Sequence, residues 1–162
     1  MSFYIAPILL RDYVASLPLE DVVSEHYQLI YLSRLALDSS VTCVAVIVRS
    51  ARQRNPMQAI GGLLVFDGER FWQYLEGEKT SVCALAERIR TDCRHTDFRI
   101  LLQSKFSGPR LLSAPGLEYA LCYDGCLDCF EEACGTQAVD LLNALLPRLD
   151  MEPKHSIICS VI

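Results

Sequence analysis

Apolar and polar positions along the chain fall into blocks whose period changes between turn-forming residues. Residues 63–66 (LLVF) and 71–75 (FWQYL) are apolar runs on either side of Asp67-Gly68, a dipeptide suited to the positive φ angles of a tight turn, so a β-hairpin is predicted over residues 61–77. Residues 28–33 form an earlier strand, with Tyr31 on the opposite face from Ile30 and Leu32. Residues 41–55 are rich in β-branched side chains, yet they do not alternate. Cys43, Val44, Ile47, Val48 and Ala51 recur at helical spacing, which makes this segment a helix capped from Asp38, Ser39 or Ser40 and closed by Pro56. A second helix starts at Thr80 or Ser81 and carries Val82, Leu85, Ala86 and Ile89 on its apolar face, with Arg88, Arg90 and Asp92 towards its end. Strands over residues 98–103 and 117–122 complete the pattern.

The resulting order implies an α+β fold: a ferredoxin-like β-α-β-β-α-β unit with an additional fifth strand and both helices on one face of the sheet. Extra helices flank this core. Residues 8–27 read as a short apolar helix, a break at Pro18, and a further turn or helix from Glu20. Residues 136–149 form an amphipathic helix whose Val139, Leu142, Leu145, Leu146 and Leu149 exceed what a solvent-facing helix needs, so it should dock on the free face of the sheet or on another subunit. The expected organisation is an N-terminal helical extension over residues 1–27, a core domain over 28–122 and a C-terminal helical extension over 123–162.

Composition narrows the classes. With 162 residues, 51 % of them hydrophobic and 22 % charged, the chain can bury a proper core, and surplus apolar surface points to a homo-oligomer. A net charge of -5 supplies no basic field for nucleic acid or for an anionic membrane. The opening residues fit neither a signal peptide nor a membrane span, so a cytoplasmic protein is expected. Eight cysteines are too few for a small disulfide scaffold, and in a reducing compartment most would be buried thiols.

Candidate chemistry centres on Gln73. An amide set between Trp72 and Tyr74 must find partners for its carbonyl and its NH2, or cost about 1 to 3 kcal/mol in desolvation. A glutamine at a sheet edge bonded to water satisfies the same pattern. The wider sequence is more specific. LIYLSRL, RQRNP, IGGLLVFDGERFWQYLEG and RIRTDCRH follow one another within residues 28–106, and this ordered set closely resembles a BLUF domain, the flavin-based blue-light sensor.

The resemblance implies a flavin between the two helices, normally FAD with FMN or riboflavin as alternatives. It implies that Tyr31 donates an electron and a proton to the excited flavin, and that Gln73 bridges the tyrosine to the ring. It places Asn55 at the pyrimidine edge, Ile47 and Ile89 against the two ring faces, Arg88 and Asp92 near the same edge, and Arg94 and His95 towards the ribityl and phosphate side. Such a protein is a photoreceptor rather than an enzyme. With no cyclase, phosphodiesterase or DNA-binding sequence after residue 122, it is expected to signal through an unidentified partner protein or a change of oligomer. A flavin-free interaction module and a small flavoenzyme are the alternatives. Retained yellow colour argues against the first, and a reversible red shift without turnover against the second.

Three departures from the family pattern bear on the site. Arg54 stands where Asn or His is usual, adding a charged donor or pointing to solvent. Ile60-Gly61-Gly62 replaces Ile-Thr-Gly. The fifth strand lacks Trp-x-Met; an ungapped match puts Ala114 and Gly116 there, whereas a three-residue insertion puts Leu117 and Tyr119, which alternate as a strand should. Cys122, Cys126, Cys129 and Cys134 form C-x3-C-x2-C-x4-C, a spacing able to ligate an iron-sulfur cluster. No metal is assigned, because positions 122, 126 and 129 also share one face of a helix, where buried thiols suffice.

Overall fold

A computed structural model describes residues 25–123 and 125–152. Most of the predicted N-terminal helical extension and the apolar residues from 157 onward lie outside the described residues. Residues 25–27 are strand, so the core begins before position 28. Six strands form one sheet in the order β4-β1-β3-β2-β5-β6, with β2 and β5 parallel and every other pair antiparallel. They are β1 (Glu25–Leu35), β2 (Gly61–Phe66), β3 (Arg70–Gly77), β4 (His95–Ser107), β5 (Gly116–Leu121) and β6 (Asp150–Glu152). Helices α1 (Cys43–Arg54) and α2 (Lys79–Arg90) follow β1 and β3, and α3 (Thr136–Leu145) precedes β6. The α+β ferredoxin-like arrangement is the one expected, with β6 as an addition.

The two faces of the sheet have separate cores because strand residues alternate. On one face α1 packs Val44 and Val48 against Leu64, Phe66, Phe71 and Leu117. Beside it, α2 packs Val82 and Ala86 against Tyr27, Leu29, Tyr31 and Leu75. A cleft runs between the two helices over the sheet. The other face carries Ile30, Leu32, Leu63, Val65 and Trp72, covered by Leu127, Phe130, Ala133, Ala138, Leu142 and Leu145. The amphipathic C-terminal segment therefore docks on the free face of its own sheet. Ion pairs from Arg70 to Asp128 (2.6 Å) and Glu131 (3.1 Å), and from Arg34 to Glu131 (2.8 Å), pin this cap to the central strands.

Several local expectations need correction. The hairpin turn is tight but displaced by one residue: Phe66 pairs with Phe71 and Asp67 N donates to Arg70 O at 3.3 Å, so Gly68 and Glu69 are its central residues, and positive φ occurs there at Gly68 alone. Asp67 closes the loop by accepting from the amides of Glu69 and Arg70. At the start of α1 the cap position is Thr42, and Ser40 Oγ accepts from its amide and hydroxyl instead of capping the helix directly. The cap of α2 is Glu78, whose carboxylate accepts from Ser81 N at 3.0 Å, because a longer side chain one turn earlier reaches the same free amides. The cysteine-rich stretch is not one helix: Cys122 follows β5, Cys126 sits in a turn, and Cys129 lies in the short 3-10 segment Asp128–Phe130. Gly125 at φ 67° breaks any continuous helix there, and a side chain at that position would come within 2.6 Å of Asp128. Cys122 is buried, as a thiol behaving as a small apolar residue would be, Cys126 is half-buried, and Cys129 and Cys134 are exposed.

Candidate functional site

Two polar side chains organise the floor of the cleft. Tyr31 on β1 and Gln73 on β3 are direct partners in the antiparallel register, so both project to the helix-bearing face. The Tyr31 hydroxyl donates to Gln73 Oε1 at 2.6 Å, and the two residues are 1 % and 4 % exposed. With its carbonyl engaged, the amide has its NH2 as the remaining function. Gly62, beside it on β2, keeps that end open, since a Cβ there would sit 3.3 Å from Gln73 Nε2 and 3.0 Å from Leu117 Cδ1. Register shifts between β1 and β4 fall at Ile30/Tyr31 and Leu32/Arg34, flanking the tyrosine with the kind of irregularity that re-aims side chains.

Burial, with the charge of Asp92 adding to it, pushes the Tyr31 hydroxyl well above the ordinary tyrosine range. The phenol is held as a donor. Its ring stacks on Phe98 with centroids 4.6 Å apart and meets the His95 edge at 6.4 Å. His95 Nδ1 lies 2.9 Å from Ser33 Oγ, and the two groups share a hydrogen bond.

Of the residues singled out from the sequence, Tyr31, Ile47, Arg54, Asn55, Gln73, Arg88, Ile89, Asp92, Arg94, His95 and Leu117 all line one cavity of about 120 Å³. Ile47 from α1 and Ile89 from α2 flank it. Asn55 follows the end of α1, is 2 % exposed, and donates through Nδ2 to Gly116 O at 3.3 Å, tying the helix to β5. Arg88 reaches across the mouth to Gln58 Oε1 at 3.1 Å. Arg94 Nε donates to Asp92 Oδ1 at 2.9 Å, and this bond holds the Asp92 carboxyl down at about 2. Tyr119 is absent from the lining. It pairs with Leu64, which pairs in turn with Gln73, so the leucine side chain stands between them and Tyr119 faces the outer side of α1. The strand starts at Gly116, which puts Leu117 and Tyr119, not Ala114, in its alternating positions.

Sequence reasoning missed four lining residues: Ser50, Ala51, Leu64 and Leu85. Helical spacing carried the signal for two of them, because Ile47, Ser50, Ala51 and Arg54 share one face of α1. Leu64 became visible as a neighbour of Gln73 only through the strand register.

His95 gives the site a pH signature. Burial lowers its imidazole to about 4, with Arg94 acting in the same direction and Asp92 opposing. A folded value below the ordinary 6.5 means that the unfolded chain binds the proton first, so this contribution to stability is present above pH 6.5 and is lost as the pH falls through 4. Between pH 7 and 4, His95 should account for a loss of about 2 to 3 kcal/mol. Urea unfolding at both pH values, compared with His95→Gln, measures it; equal losses in both proteins would remove His95 from the effect.

Comparisons with known proteins bear on the family and the fold. Residues 26–111, more than half of the chain, match the family model described as BLUF, sensors of blue-light using FAD. The photoactivated adenylate cyclase subunit beta of Euglena gracilis is 42 % identical over 69 residues, which cover 43 % of this chain and 8 % of that protein. The blue light- and temperature-regulated antirepressor BluF of Escherichia coli is 32 % identical over 90 residues, covering 56 % of this chain and 22 % of BluF. The chain thus spans less than a quarter of either curated relative. Among solved structures, BlsA in its photo-activated state superposes with a TM-score of 0.65 at 22 % identity, covering 75 % of this chain and 94 % of BlsA. Dark-state BlrB gives 0.63 at 22 % identity over 78 % of this chain and 98 % of BlrB, so both show the same fold. Among the described residues, no helix is long and apolar enough to cross a membrane. With a BLUF match over its core, a BLUF fold, and a tyrosine bonded to a glutamine on the floor of the cleft, this chain belongs to the BLUF family of flavin-based blue-light sensors.

Proposed function

We propose that this protein senses blue light with a flavin held between α1 and α2, Tyr31 serving as electron and proton donor and Gln73 as the switch. The observation that carries the reading is the 2.6 Å bond from Tyr31 to Gln73 Oε1 at the floor of a cleft flanked by Ile47 and Ile89. The donor set suits a flavin: two aliphatic flanks match a flat aromatic ring, the amides of Gln73 and Asn55 match its polar edge, and Arg54, Arg88 and Arg94 give the mouth a cationic excess over Asp92 for a phosphorylated tail. A bound flavin supplies a blue-light-absorbing electron acceptor. Tyr31 loses an electron and releases its hydroxyl proton along the bond to Gln73. When both return, Gln73 has rotated or tautomerised, so that its carbonyl and NH2 functions point to exchanged partners. Leu117, which meets the same cleft from β5, feels that rearrangement first.

The cofactor is FAD in this reading, and the mass of the flavin released on denaturation distinguishes it from FMN or riboflavin. Blue light should produce a small, reversible red shift with the flavin oxidised at start and finish and with no substrate consumed. A colourless protein, or a spectrum that bleaches and stays bleached, overturns the proposal. The protein acts in the cytoplasm by changing its contacts with a partner protein or its own oligomer, a role for which exposed Val41, Leu121 and Tyr123 offer apolar surface. Identical mass and identical captured partners in light and dark would rule that out.

A further inference from the structure

The bond between Ser33 and His95 takes no part in the Tyr31–Gln73 pair, yet it lies beside the tyrosine. Ser33 is two residues on from Tyr31 in β1, so both side chains project to the helix-bearing face. The register shift between Leu32 and Arg34 leaves Ser33 without a paired residue in β4, the kind of irregularity that re-aims a side chain. His95 opens β4; its amide donates to Asp92 O at 3.0 Å, and its ring packs on Phe71 with centroids 4.5 Å apart. Ser33 Oγ and His95 Nδ1 are 2.9 Å apart, and the two residues are 1 % and 8 % exposed.

Counting protons gives this bond a direction. A hydroxyl has one proton to donate, and a neutral imidazole has one nitrogen that donates and one that accepts. Among the described residues His95 is the single hydrogen-bond partner of the Ser33 side chain. Were Nδ1 the donor, the serine proton would be buried with no acceptor, which folded proteins avoid. Ser33 therefore donates to Nδ1, and the ring proton is on Nε2. The same count disfavours a doubly protonated ring, whose Nδ1 would carry a proton of its own. Burial and Arg94 disfavour it too, with Asp92 opposing them.

We propose that Ser33 is a positioning residue that holds His95 as the neutral Nε2–H tautomer, an uncharged hydrogen-bond donor at the wall of the cleft beside Tyr31. Nε2 has no partner among the described residues and His95 lines the cavity, so this N–H is left for an acceptor on the bound ligand. The His95 and Tyr31 rings have centroids 6.4 Å apart, where an imidazolium would oppose electron loss from the phenol and a neutral ring does not. That second consequence rests on the light reading; the tautomer does not.

The test is nitrogen NMR of the full chain with its flavin, carrying isotope-labelled histidine and kept in the dark at pH 7. Protonated and bare ring nitrogens resonate far apart, so the tautomer is read directly. The chain has three histidines, and His95→Gln identifies the His95 signals by their loss. A bare Nδ1 and a protonated Nε2 are expected. In Ser33→Ala the two signals should move towards each other as the Nδ1–H form becomes populated. The flavin dissociation constant should rise about fivefold, the worth of one hydrogen bond. A proton on Nδ1 in the parent protein, two protonated nitrogens there, or unchanged ring signals in Ser33→Ala would each overturn the proposal. The parent signals decide the tautomer even if Ser33→Ala fails to fold, and they need no photocycle, so a missing red shift counts against the light reading alone.

Discussion

Replacing Tyr31 with phenylalanine should abolish the light-induced red shift while the protein stays yellow. The ring of Tyr31 packs in a slot defined by Phe98 and His95, which a phenylalanine fills equally well. What disappears is the hydroxyl, the one group there that offers both an oxidisable phenol and a proton already directed along a 2.6 Å bond to Gln73. The fold pays for a buried amide oxygen left without its donor, about 1 to 3 kcal/mol. Gln73→Leu should have the same photochemical outcome for the complementary reason: the tyrosine keeps its phenol but no neighbour remains to exchange a carbonyl for an NH2. Light-minus-dark difference spectra of the two variants, at matched flavin content, check both. A full-size shift in Tyr31→Phe would move the donor elsewhere. Tyr119 is the next tyrosine on that face, although Leu64 stands between it and Gln73. Loss of the shift in Tyr119→Phe as well would then identify it.

Much of this site was legible because strand alternation and motif order are written locally. Tyr31 had a face assigned by the two-residue period, Gln73 stood out as an amide inside an apolar strand, and helical spacing put Ile47 and Ile89 on the apolar stripes of their helices. Their convergence was carried by the family resemblance alone, since nothing local says that Tyr31 pairs opposite Gln73 rather than two residues away. Strand β4 shows the opposite case. It runs from His95 to Ser107, whereas its apolar signal covers only residues 98–103, because the polar residues at both ends of an edge strand still pair with β1 through the backbone, which leaves no apolar pattern to read. The same holds for β6, whose Asp150 and Glu152 carry no strand pattern.

Glu76 was least legible of all, and its removal should have the largest effect on stability. On β3 it points to the face opposite Gln73, a carboxylate with 0 % exposure. Its partners come from 35 residues further on as well as from its own strand: Leu111 N at 2.9 Å, Leu112 N at 3.2 Å, Tyr74 Oη at 3.0 Å, and the Arg110 guanidinium at 3.8 Å. Gly61 permits the approach, since a Cβ there would crowd Glu76 Cγ and Oε1 at 3.2 Å; this gives a physical reason for glycine at a position where the family usually has threonine. The carboxylate clamps the loop that leads into β5, and Arg110, held also to Ala59 O at 2.8 Å, extends the clamp to the start of β2. Glu76→Ala strands two buried amides and a phenol and leaves Arg110 without its counter-charge, a combination that costs about 3 to 5 kcal/mol. Glu76→Gln keeps one carbonyl acceptor in place, and its loss should be smaller, about 1 to 2 kcal/mol. Urea unfolding of the two variants beside the parent protein separates these values. An alanine variant as stable as the parent would mean that the loop before β5 is held by its apolar contacts, Leu112 foremost, and that Glu76 only fills space beneath it.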